Sequence, residues 1–362
     1  MIKFLDLTKQ YESICEEIDN AISDVIKSAQ FINGPQVSQF EEAFAAFQSA
    51  RYCVGVANGT DAIEIAIEAL SLPEGSEIIV PANSFIASSE AVTRAGHNVV
   101  FADAEVENYS INLDSVKEQI TPKTSAILVV HLYGHPCDMT ALKNLADEYG
   151  IKIIEDCAQA HGAEYEGTRV GAIGDVGCFS FYPGKNLGAY GDAGAILTND
   201  QGIAERCRMI ANHGRLAKYD HLFEGRNSRM DTLQAAILEV KLRYLPEWLE
   251  RRRQIAQVYS EGIRTKSLIL PKNKENVLHA YHLYVVRTDR RNAFVKHLGQ
   301  NGIESGIHYP ICLPRLRAYE NHFQAQFPFE CAPIAGEVCS LPIGEHMSLK
   351  DAERVVSIVN QF

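Results

Sequence analysis

The stretch SAILVVHLYGHPCDMTALKNLADEYGIKIIED, residues 125–156, decides the fold class of this chain. It begins and ends with a short apolar run, and residues 138–150 between them have the apolar spacing of a helix that ends in glycine. This order predicts a βαβ unit with two parallel strands, because the helix has to cross one face of the sheet. The second run ends in two carboxylates, at the edge of a parallel sheet where binding groups collect.

The same alternation continues on both sides of this unit. Upstream, apolar runs at residues 52–57, 77–81 and 98–103 predict strands with helices between them. Downstream, residues 177–182 and 193–200 predict two strands that are neighbours or form a hairpin. We therefore predict an α/β fold whose large domain has a mainly parallel, roughly seven-stranded sheet between helices.

A long helical pattern over residues 231–263 follows the last of these strands, and Pro246 inside it predicts a kink. Shorter strand and helix patterns come after it and predict a small α+β domain at the C-terminal end. The expected organisation is a large domain over residues 1–240 with an N-terminal helical segment, a connecting helix over 241–262, and a small domain over 263–362.

Composition narrows the class of protein. The chain has 362 residues, is 46% hydrophobic and carries a net charge of −12, which argues against a nucleic-acid partner because phosphates would be repelled. Its nine cysteines lack paired spacing and are expected to be reduced core residues. The start MIKFLDLTKQ is not a signal peptide and no apolar run is long enough for a membrane span. We expect a cytoplasmic protein without a membrane partner.

Polar and aromatic residues follow four predicted strand ends. They are Gly59 and Thr60, Phe85, Asp156 with Gln159, and Ser180 with Lys185. Gly59 and Thr60 begin a helix, so their N–H groups predict an anion site, although a plain strand–helix turn explains them as well. Phe85 can equally be a core aromatic. A carboxylate such as Asp156 needs a cationic partner if it is buried.

Three competing interpretations of these motifs are weaker. Lys185 is followed by Asn186, so the turn lacks the phosphate-binding pattern of a P-loop nucleoside triphosphatase. The glycines of GAYGDAG do not have the spacing of a dinucleotide-binding motif. Four potential metal ligands lie close together at His131, His135, Cys137 and Asp138. We favour turn and supporting roles for them over a metal site.

An anion cradle, an aromatic platform, a buried carboxylate and an isolated lysine together specify pyridoxal 5′-phosphate. Its aldehyde would bind Lys185 as a Schiff base, and Asp156 would keep its pyridine nitrogen protonated, which makes the ring an electron sink.

Five spaced blocks then resemble the DegT/DnrJ/StrS family of nucleotide-sugar aminotransferases over essentially the whole chain. They are GTDA, EDCAQAHGA, SFYPGKNLGAYGDAGA, GRNSRMDTLQAAIL and GIHYP. The resemblance implies the aspartate-aminotransferase fold and a homodimer with shared active sites. It also implies roles for single residues. Gly59, Thr60, Asp61 and Ser180 would bind the phosphate, Phe85 would cover the ring, Asp156 would pair with the ring nitrogen and Gln159 with the ring hydroxyl. The other subunit would supply Asn227 to the phosphate, and Arg229, His308 and Tyr309 to the substrate.

The activity implied is transfer of an amino group from glutamate to a nucleotide-linked keto-sugar, in O-antigen or related glycan biosynthesis. A dTDP-3-keto-6-deoxyhexose is the expected acceptor, with a UDP-linked 3-keto-N-acetylglucosaminuronate and a 4-keto sugar as alternatives. Dehydratases of the family replace the lysine by histidine or add an iron–sulfur cluster. Because Lys185 is present and Cys312, Cys331 and Cys339 are not clustered, dehydration is disfavoured. A regulator that binds the cofactor without turnover is disfavoured because the set of Lys185, Asp156, Gln159, Arg229 and His308 is complete.

Overall fold

The protein was analysed as a computed structural model, which describes residues 1–362 apart from the side chain of residue 216. The helices are α1 (Leu7–Ser28), α2 (Pro35–Gln48), α3 (Gly59–Ala69), α4 (Ala87–Arg94), α5 (Leu113–Gln119), α6 (Met139–Tyr149), α7 (Gln201–Ala211), α8 (Thr232–Gly262), α9 (Arg291–Gln300), α10 (Cys331–Ile334) and α11 (Leu349–Val359). The strands are β1 (Tyr52–Val56), β2 (Glu77–Pro81), β3 (Asn98–Ala102), β4 (Thr124–Val130), β5 (Lys152–Asp156), β6 (Glu164–Tyr165), β7 (Thr168–Arg169), β8 (Val176–Ser180), β9 (Gly194–Thr198), β10 (Arg215–Ala217), β11 (Asp220–His221), β12 (Val277–Leu278), β13 (Tyr284–Arg287) and β14 (Val338–Leu341).

A seven-stranded sheet forms the centre of the molecule, in the order β1-β9-β8-β5-β4-β2-β3. Only β9 runs against its two neighbours, β1 and β8, while the pairs from β8 to β3 are parallel. The predicted fold class is therefore confirmed. The predicted pair of adjacent strands after residue 176 is the antiparallel pair β8 and β9.

The packing of the β4–α6–β5 unit explains why its two strands contain continuous apolar runs in the sequence. Ala126, Leu128 and Val130 pack into the core on one face of the sheet, and Ile127 and Val129 pack into the core on the other. Both faces are covered by helices, so neither can be polar. The Asp138 carboxylate caps α6 by accepting a hydrogen bond from the Ala141 N–H at 3.1 Å.

The C-terminal part packs around the end of α8. Strands β13 and β14 pair in antiparallel fashion, and α9 and α11 share a hydrophobic cluster with Ile255 and Tyr259 of α8. Helix α8 begins at Thr232 and runs through Pro246 to Gly262, so the expected boundary at residue 241 falls inside this helix. A division into two domains after Gly262 stays a proposal.

Two expectations about the chain's environment can be compared with the structure. Every cysteine apart from Cys15 is buried, which agrees with their expected core positions. Within the described chain, each helix is too short or too polar to traverse a lipid bilayer.

Candidate active site

A cavity of about 540 Å³ lies at the carboxyl ends of the parallel strands. It brings together residues that are far apart in the sequence. The predicted site residues that line it are Gly59, Thr60, Phe85, Asp156, Gln159, Ser180, Lys185, His308 and Tyr309. Strands β5 and β8 are hydrogen-bonded neighbours, and each supplies part of this set at its last residue and in the turn that follows. The sheet topology therefore assembles most of the predicted site in one chain.

Lys185 lies on the tight turn that follows β8. Its N–H donates to the Tyr182 carbonyl at 2.8 Å. A Cβ on Gly188 would lie only 2.3 Å from the Pro183 carbonyl oxygen, so this turn requires glycine there. Burial lowers the pKa of the Lys185 amine to about 8, against the opposing pull of the Asp156 carboxylate. Near neutral pH this amine can therefore exchange a proton with little cost.

Asp156 ends β5 and is only 5% exposed. Its carboxylate accepts hydrogen bonds from the Ser88 hydroxyl at 2.7 Å and from the Ala158 N–H at 3.1 Å. The Ser88 hydroxyl also lies 2.8 Å from the Ser84 hydroxyl. Both donors to Asp156 are neutral, so they orient the carboxylate and leave its charge for a cation in the cavity. The sequence analysis missed the two serines, although SFIASS begins three residues after the end of β2.

The N-terminus of α3 forms the predicted anion cradle together with the end of β8. Asn58 caps the helix, and its side-chain oxygen accepts from the Asp61 N–H at 2.8 Å. The N–H groups of Gly59 and Thr60 stay free for a ligand, as at any helix start. A Cβ on Gly59 would lie 2.5 Å from the Ser180 Cβ, so α3 and β8 approach closely only because residue 59 is glycine.

Gln159 links the sheet edge to the aromatic side of the cavity. Its oxygen accepts from the Tyr133 N–H at 2.6 Å, and its amide donates to the Tyr309 hydroxyl at 3.1 Å. The rings of Tyr309 and Phe85 have centroids 5.6 Å apart. Burial and the nearby Asp156 raise the pKa of the Tyr309 hydroxyl to about 12, so it is a neutral donor. Phe85 is 53% exposed, which does not suit a core aromatic.

His308 stands beside Lys185 in the cavity and is held by Ser340. Its Nδ1 lies 2.8 Å from the Ser340 hydroxyl. Burial, with Lys185 as a second cause, lowers the pKa of this imidazole to about 4. His308 and Tyr309 thus belong to the cavity of their own chain, and the expectation that the other subunit supplies them is wrong. A strand pairing of β13 with β14 and the bridge from Gly306 to Ser340 bring them there, which sequence spacing alone does not show.

Three predicted residues lie outside this cavity. Asp61 and Asn227 line an adjacent open cleft. Arg229 lines a further cleft and donates to the Asn212 side chain at 2.9 Å. Asp192 lines both that cleft and the central cavity, so the two are neighbours.

The residues that line the cavity without having been predicted include Phe4, Leu5, Arg252 and His282. Arg252 is 2% exposed, donates to the carbonyls of Tyr281 and Ile343, and pairs with Glu345 at 3.2 Å. No sequence motif marks these four residues. They reach the cavity only because the C-terminal part and the N-terminus pack against it.

The potential metal ligands considered in the sequence, His131, His135, Cys137 and Asp138, do not form one cluster in the structure; His131 instead lies with Glu155 and Cys157. His131 lies 2.9 Å from Glu155, whose oxygens also accept from the N–H groups of Gly171, Ile173 and Gly174. Since His131 Nδ1 accepts from the Cys137 N–H, its Nε2 donates to Glu155. His131, Glu155 and Cys157 have potential ligand atoms within 4.8 Å of one another. The contacts give Glu155 a structural role under the sheet edge.

This donor set fits pyridoxal 5′-phosphate. The glycine-dependent cradle at α3 suits its phosphate, the oriented Asp156 carboxylate suits a protonated ring nitrogen, and the Lys185 amine suits its aldehyde. Fold and site together define a pyridoxal-phosphate aminotransferase. The chain belongs to the DegT/DnrJ/EryC1/StrS aminotransferase family, whose sequence profile matches residues 12–360, and this family depends on that cofactor.

Relatives and solved structures agree with this assignment. The dTDP-3-amino-3,6-dideoxy-alpha-D-galactopyranose transaminase of Aneurinibacillus thermoaerophilus is 46% identical over 100% of this chain and 99% of its own. The dTDP-3-amino-3,4,6-trideoxy-alpha-D-glucose transaminase of Streptomyces venezuelae is 41% identical over 100% and 96%. The UDP-2-acetamido-2-deoxy-3-oxo-D-glucuronate aminotransferase of Pseudomonas aeruginosa is 38% identical over 99% and 94%. The crystal structure of S. venezuelae DesV in complex with ketimine intermediate superposes with a TM-score of 0.97 at 41% identity, covering 99% of this chain and 98% of that one.

Proposed function

We propose that this aminotransferase moves an amino group from glutamate to C3 of a nucleotide-linked keto-sugar, a dTDP-3-keto-6-deoxyhexose. The observation that carries the proposal is the cavity that holds Lys185, Asp156 and the anion cradle in one chain. Two relatives above 40% identity are named for dTDP-linked 3-amino sugars, which supports the acceptor. Glutamate is converted to 2-oxoglutarate, and the sugar carbonyl becomes an amine.

Each residue has a task that follows from its contacts. Pyridoxal phosphate, held through Lys185, supplies an electron sink and carries the amino group between the two substrates. Asp156, oriented by Ser88, keeps the ring nitrogen protonated. The N–H groups of Gly59 and Thr60 and the Ser180 hydroxyl hold the phosphate, and Phe85 covers the ring.

Lys185 moves the proton at the reacting carbon once its amine is free. Its pKa of about 8 lets it accept a proton in one half-reaction and return it in the other. Gln159 and Tyr309 present neutral donors to the ring hydroxyl side, and His308 stays neutral beside the lysine. Two half-reactions in one cavity imply ping-pong kinetics.

The site is completed by a second copy of the chain in this proposal. Asn227 is exposed, and the segment before it presents Tyr219, Leu222 and Phe223 to solvent. Phe31 and Ile32 are exposed as well, and Ile32 bridges to Asp231, close to Arg229 in the sequence. Exposed apolar side chains around these polar residues favour a symmetric homodimer in which Asn227 reaches the partner's phosphate site and Arg229 its substrate side.

A UDP-linked 3-keto-N-acetylglucosaminuronate is the second acceptor. The relative at 38% identity is named for a UDP-linked 3-oxo-glucuronate, and Arg229 would offer its carboxylate a cation. A 4-keto sugar, dehydration, and cofactor binding without turnover are further alternatives. The proposed setting is the cytoplasm, in O-antigen or related glycan biosynthesis.

A panel of keto-sugars assayed with glutamate tests the proposal. We expect 2-oxoglutarate and amino-sugar to form in equal amounts, fastest with the dTDP-linked 3-keto-6-deoxyhexose. The UDP-linked 3-keto-uronate and a dTDP-linked 4-keto-hexose are the matched comparisons. Faster amination of either comparison substrate would replace the proposed acceptor. Conversion of glutamate without amination of any sugar would reject the nucleotide-sugar assignment.

A further inference from the structure

The first residues of the chain run along the cavity as a strap, defined here as residues 2–6. The Ile2 N–H donates to the Gly302 carbonyl at 2.8 Å, and the Glu304 N–H donates to the Ile2 carbonyl at 3.0 Å. Ile2 is 6% exposed and belongs to the same hydrophobic cluster as Ile303. The strap is therefore anchored on the segment that leads to His308.

The middle of the strap contacts two sides of the cavity. The Phe4 N–H donates to the Glu304 carboxylate at 2.9 Å, and the Phe4 ring stacks on His308 with centroids 5.7 Å apart and 19° between the planes. A Cβ on Gly184 would lie 3.4 Å from Leu5 Cδ2, so Leu5 packs against the turn that carries Lys185. Phe4 and Leu5 both line the cavity.

The far end of the strap is anchored as firmly. Asp6 caps α1 by accepting from the Lys9 N–H at 3.2 Å. His346 lies 3.1 Å from the Lys3 carbonyl, and the Lys9 amine donates to the His346 carbonyl. Contacts on both sides of Phe4 thus determine the path of the strap past the cavity.

His308 is held at three points. Ser340 bonds its Nδ1, the Phe4 ring covers one face, and the Tyr133 hydroxyl donates to its backbone carbonyl. The polar atom of the imidazole that these contacts leave free is Nε2. We propose that Phe4 is a positioning residue for amino transfer: with Leu5 it forms an apolar wall of the cavity, and its ring keeps the His308 imidazole dry and in one orientation toward the acceptor sugar. This rests on the proposed function only for the identity of the acceptor.

The pKa of His308 can be used to test the wall formed by Phe4 and Leu5, and it depends on the titratable groups around the imidazole. Lys185 and His282 lie in the same cavity, Tyr133 contacts its backbone, Tyr309 is its chain neighbour and Glu304 bonds the strap. Burial is the main cause of the lowered His308 pKa, with Lys185 second. Removing the Phe4 ring opens His308 to water, so its pKa should rise toward the ordinary value of about 6.5.

The experiment measures that pKa by NMR of histidine-labelled, full-length enzyme, with the His308 signal assigned by its loss in His308→Gln. Phe4→Ala should raise the His308 pKa by roughly two units and lower kcat/KM for the keto-sugar about tenfold, which corresponds to one aromatic contact. Phe4→Tyr keeps the stacked ring and should restore both values. Phe323→Ala removes a 65% exposed aromatic outside the cavity and should change neither.

If the Phe4→Ala variant unfolds, Phe4→Leu replaces it in the experiment because leucine keeps apolar volume. Phe4→Leu should raise the His308 pKa by a smaller amount. A His308 pKa that stays the same in a folded Phe4→Ala or Phe4→Leu protein overturns the proposal. A raised pKa in a protein whose wild type aminates no keto-sugar supports the wall and rejects the proposed acceptor, so the two failures are distinct.

Discussion

Lys185 and Lys241 are both lysines whose pKa falls to about 8, and removal of the amine from water is the main cause in each. Their surroundings separate their roles. The Lys241 amine donates to the Gly188 carbonyl at 2.7 Å and lies 4.1 Å from the centre of the Tyr190 ring, so it braces the turn that carries Lys185. Only Lys185 opens into the cavity.

We predict that borohydride reduction of the holoenzyme fixes a pyridoxyl group on Lys185, in the peptide 178–197. Lys241 is the internal control, because its pKa is lowered to the same value while its amine is occupied by the Gly188 carbonyl. In cofactor-free protein, acylation of Lys185 should be half-maximal near pH 8, more than two units below an ordinary lysine, since a lowered pKa leaves the amine neutral above that pH. Peptide mass mapping measures both. A pyridoxyl label on another lysine would show that the cofactor lysine has been misassigned.

At the scale of elements, the site depends on how closely α3 and β8 approach. Each element supplies half of the anion cradle. The two can touch because Gly59 has no side chain between them. Ser180 Cβ would be 2.5 Å from any Cβ placed there, whereas ordinary carbon contacts begin near 3.4 Å. Any larger residue must push the helix start away from the strand end.

Gly59→Ala should therefore destabilise the protein by about 1–3 kcal/mol, as overpacking does, and weaken cofactor binding more than tenfold. Gly299→Ala is the matched control, because nothing lies within 4 Å of a Cβ there and alanine is a better helix former than glycine in the last turn of α9. Denaturant unfolding gives the free energy of unfolding, and cofactor titration gives the Kd. If Gly59→Ala matches Gly299→Ala in both, the cradle does not depend on this close approach.

At the scale of the whole molecule, the proposed site needs two chains. Lys185 lies in the central cavity, while Asn227 and Arg229 line neighbouring clefts beside exposed apolar side chains. A two-fold dimer would place these residues of each chain at the cavity of the other.

Mixed dimers test this arrangement. Lys185→Ala and the double variant Asn227→Ala/Arg229→Ala should each be nearly inactive as homodimers. Coexpressed with random mixing, half the dimers are mixed and each has one intact site, so about a quarter of wild-type activity should return. His308→Ala mixed with Lys185→Ala should give no activity, because both residues line the cavity of one chain and every site in that mixture lacks one of them. Activity is measured on the unfractionated mixture and on mixed dimers purified through two different tags, and the purified mixed dimers should show about half of wild-type activity because one of their two sites is intact. Inactive, correctly assembled mixed dimers would rule out sharing of Asn227 and Arg229.

Much of the fold was predictable because local patterns of apolar and polar residues determine its strands and helices. Strands such as β4 and β5 are buried on both faces in their central part, so residues 126–130 and 153–154 are apolar and the runs are visible in the sequence. Asp156 and Lys185 stood out for a related reason. Each is a charge next to a buried strand, and a charge in that position needs a partner or a ligand.

Tertiary structure decided what depends on distance between segments far apart in the chain. The strand order that sets β5 beside β8 joins Asp156 to Lys185, and the pairing of β13 with β14 brings His308 into the cavity of its own chain. Arg252 and Phe4 carry no local signal, since an arginine or a phenylalanine on the surface cannot be told from one beside a cavity by the residues around it in the sequence. The sequence determined the strands, the helices and the reactive groups by their local physics, while only packing decided which of those groups meet.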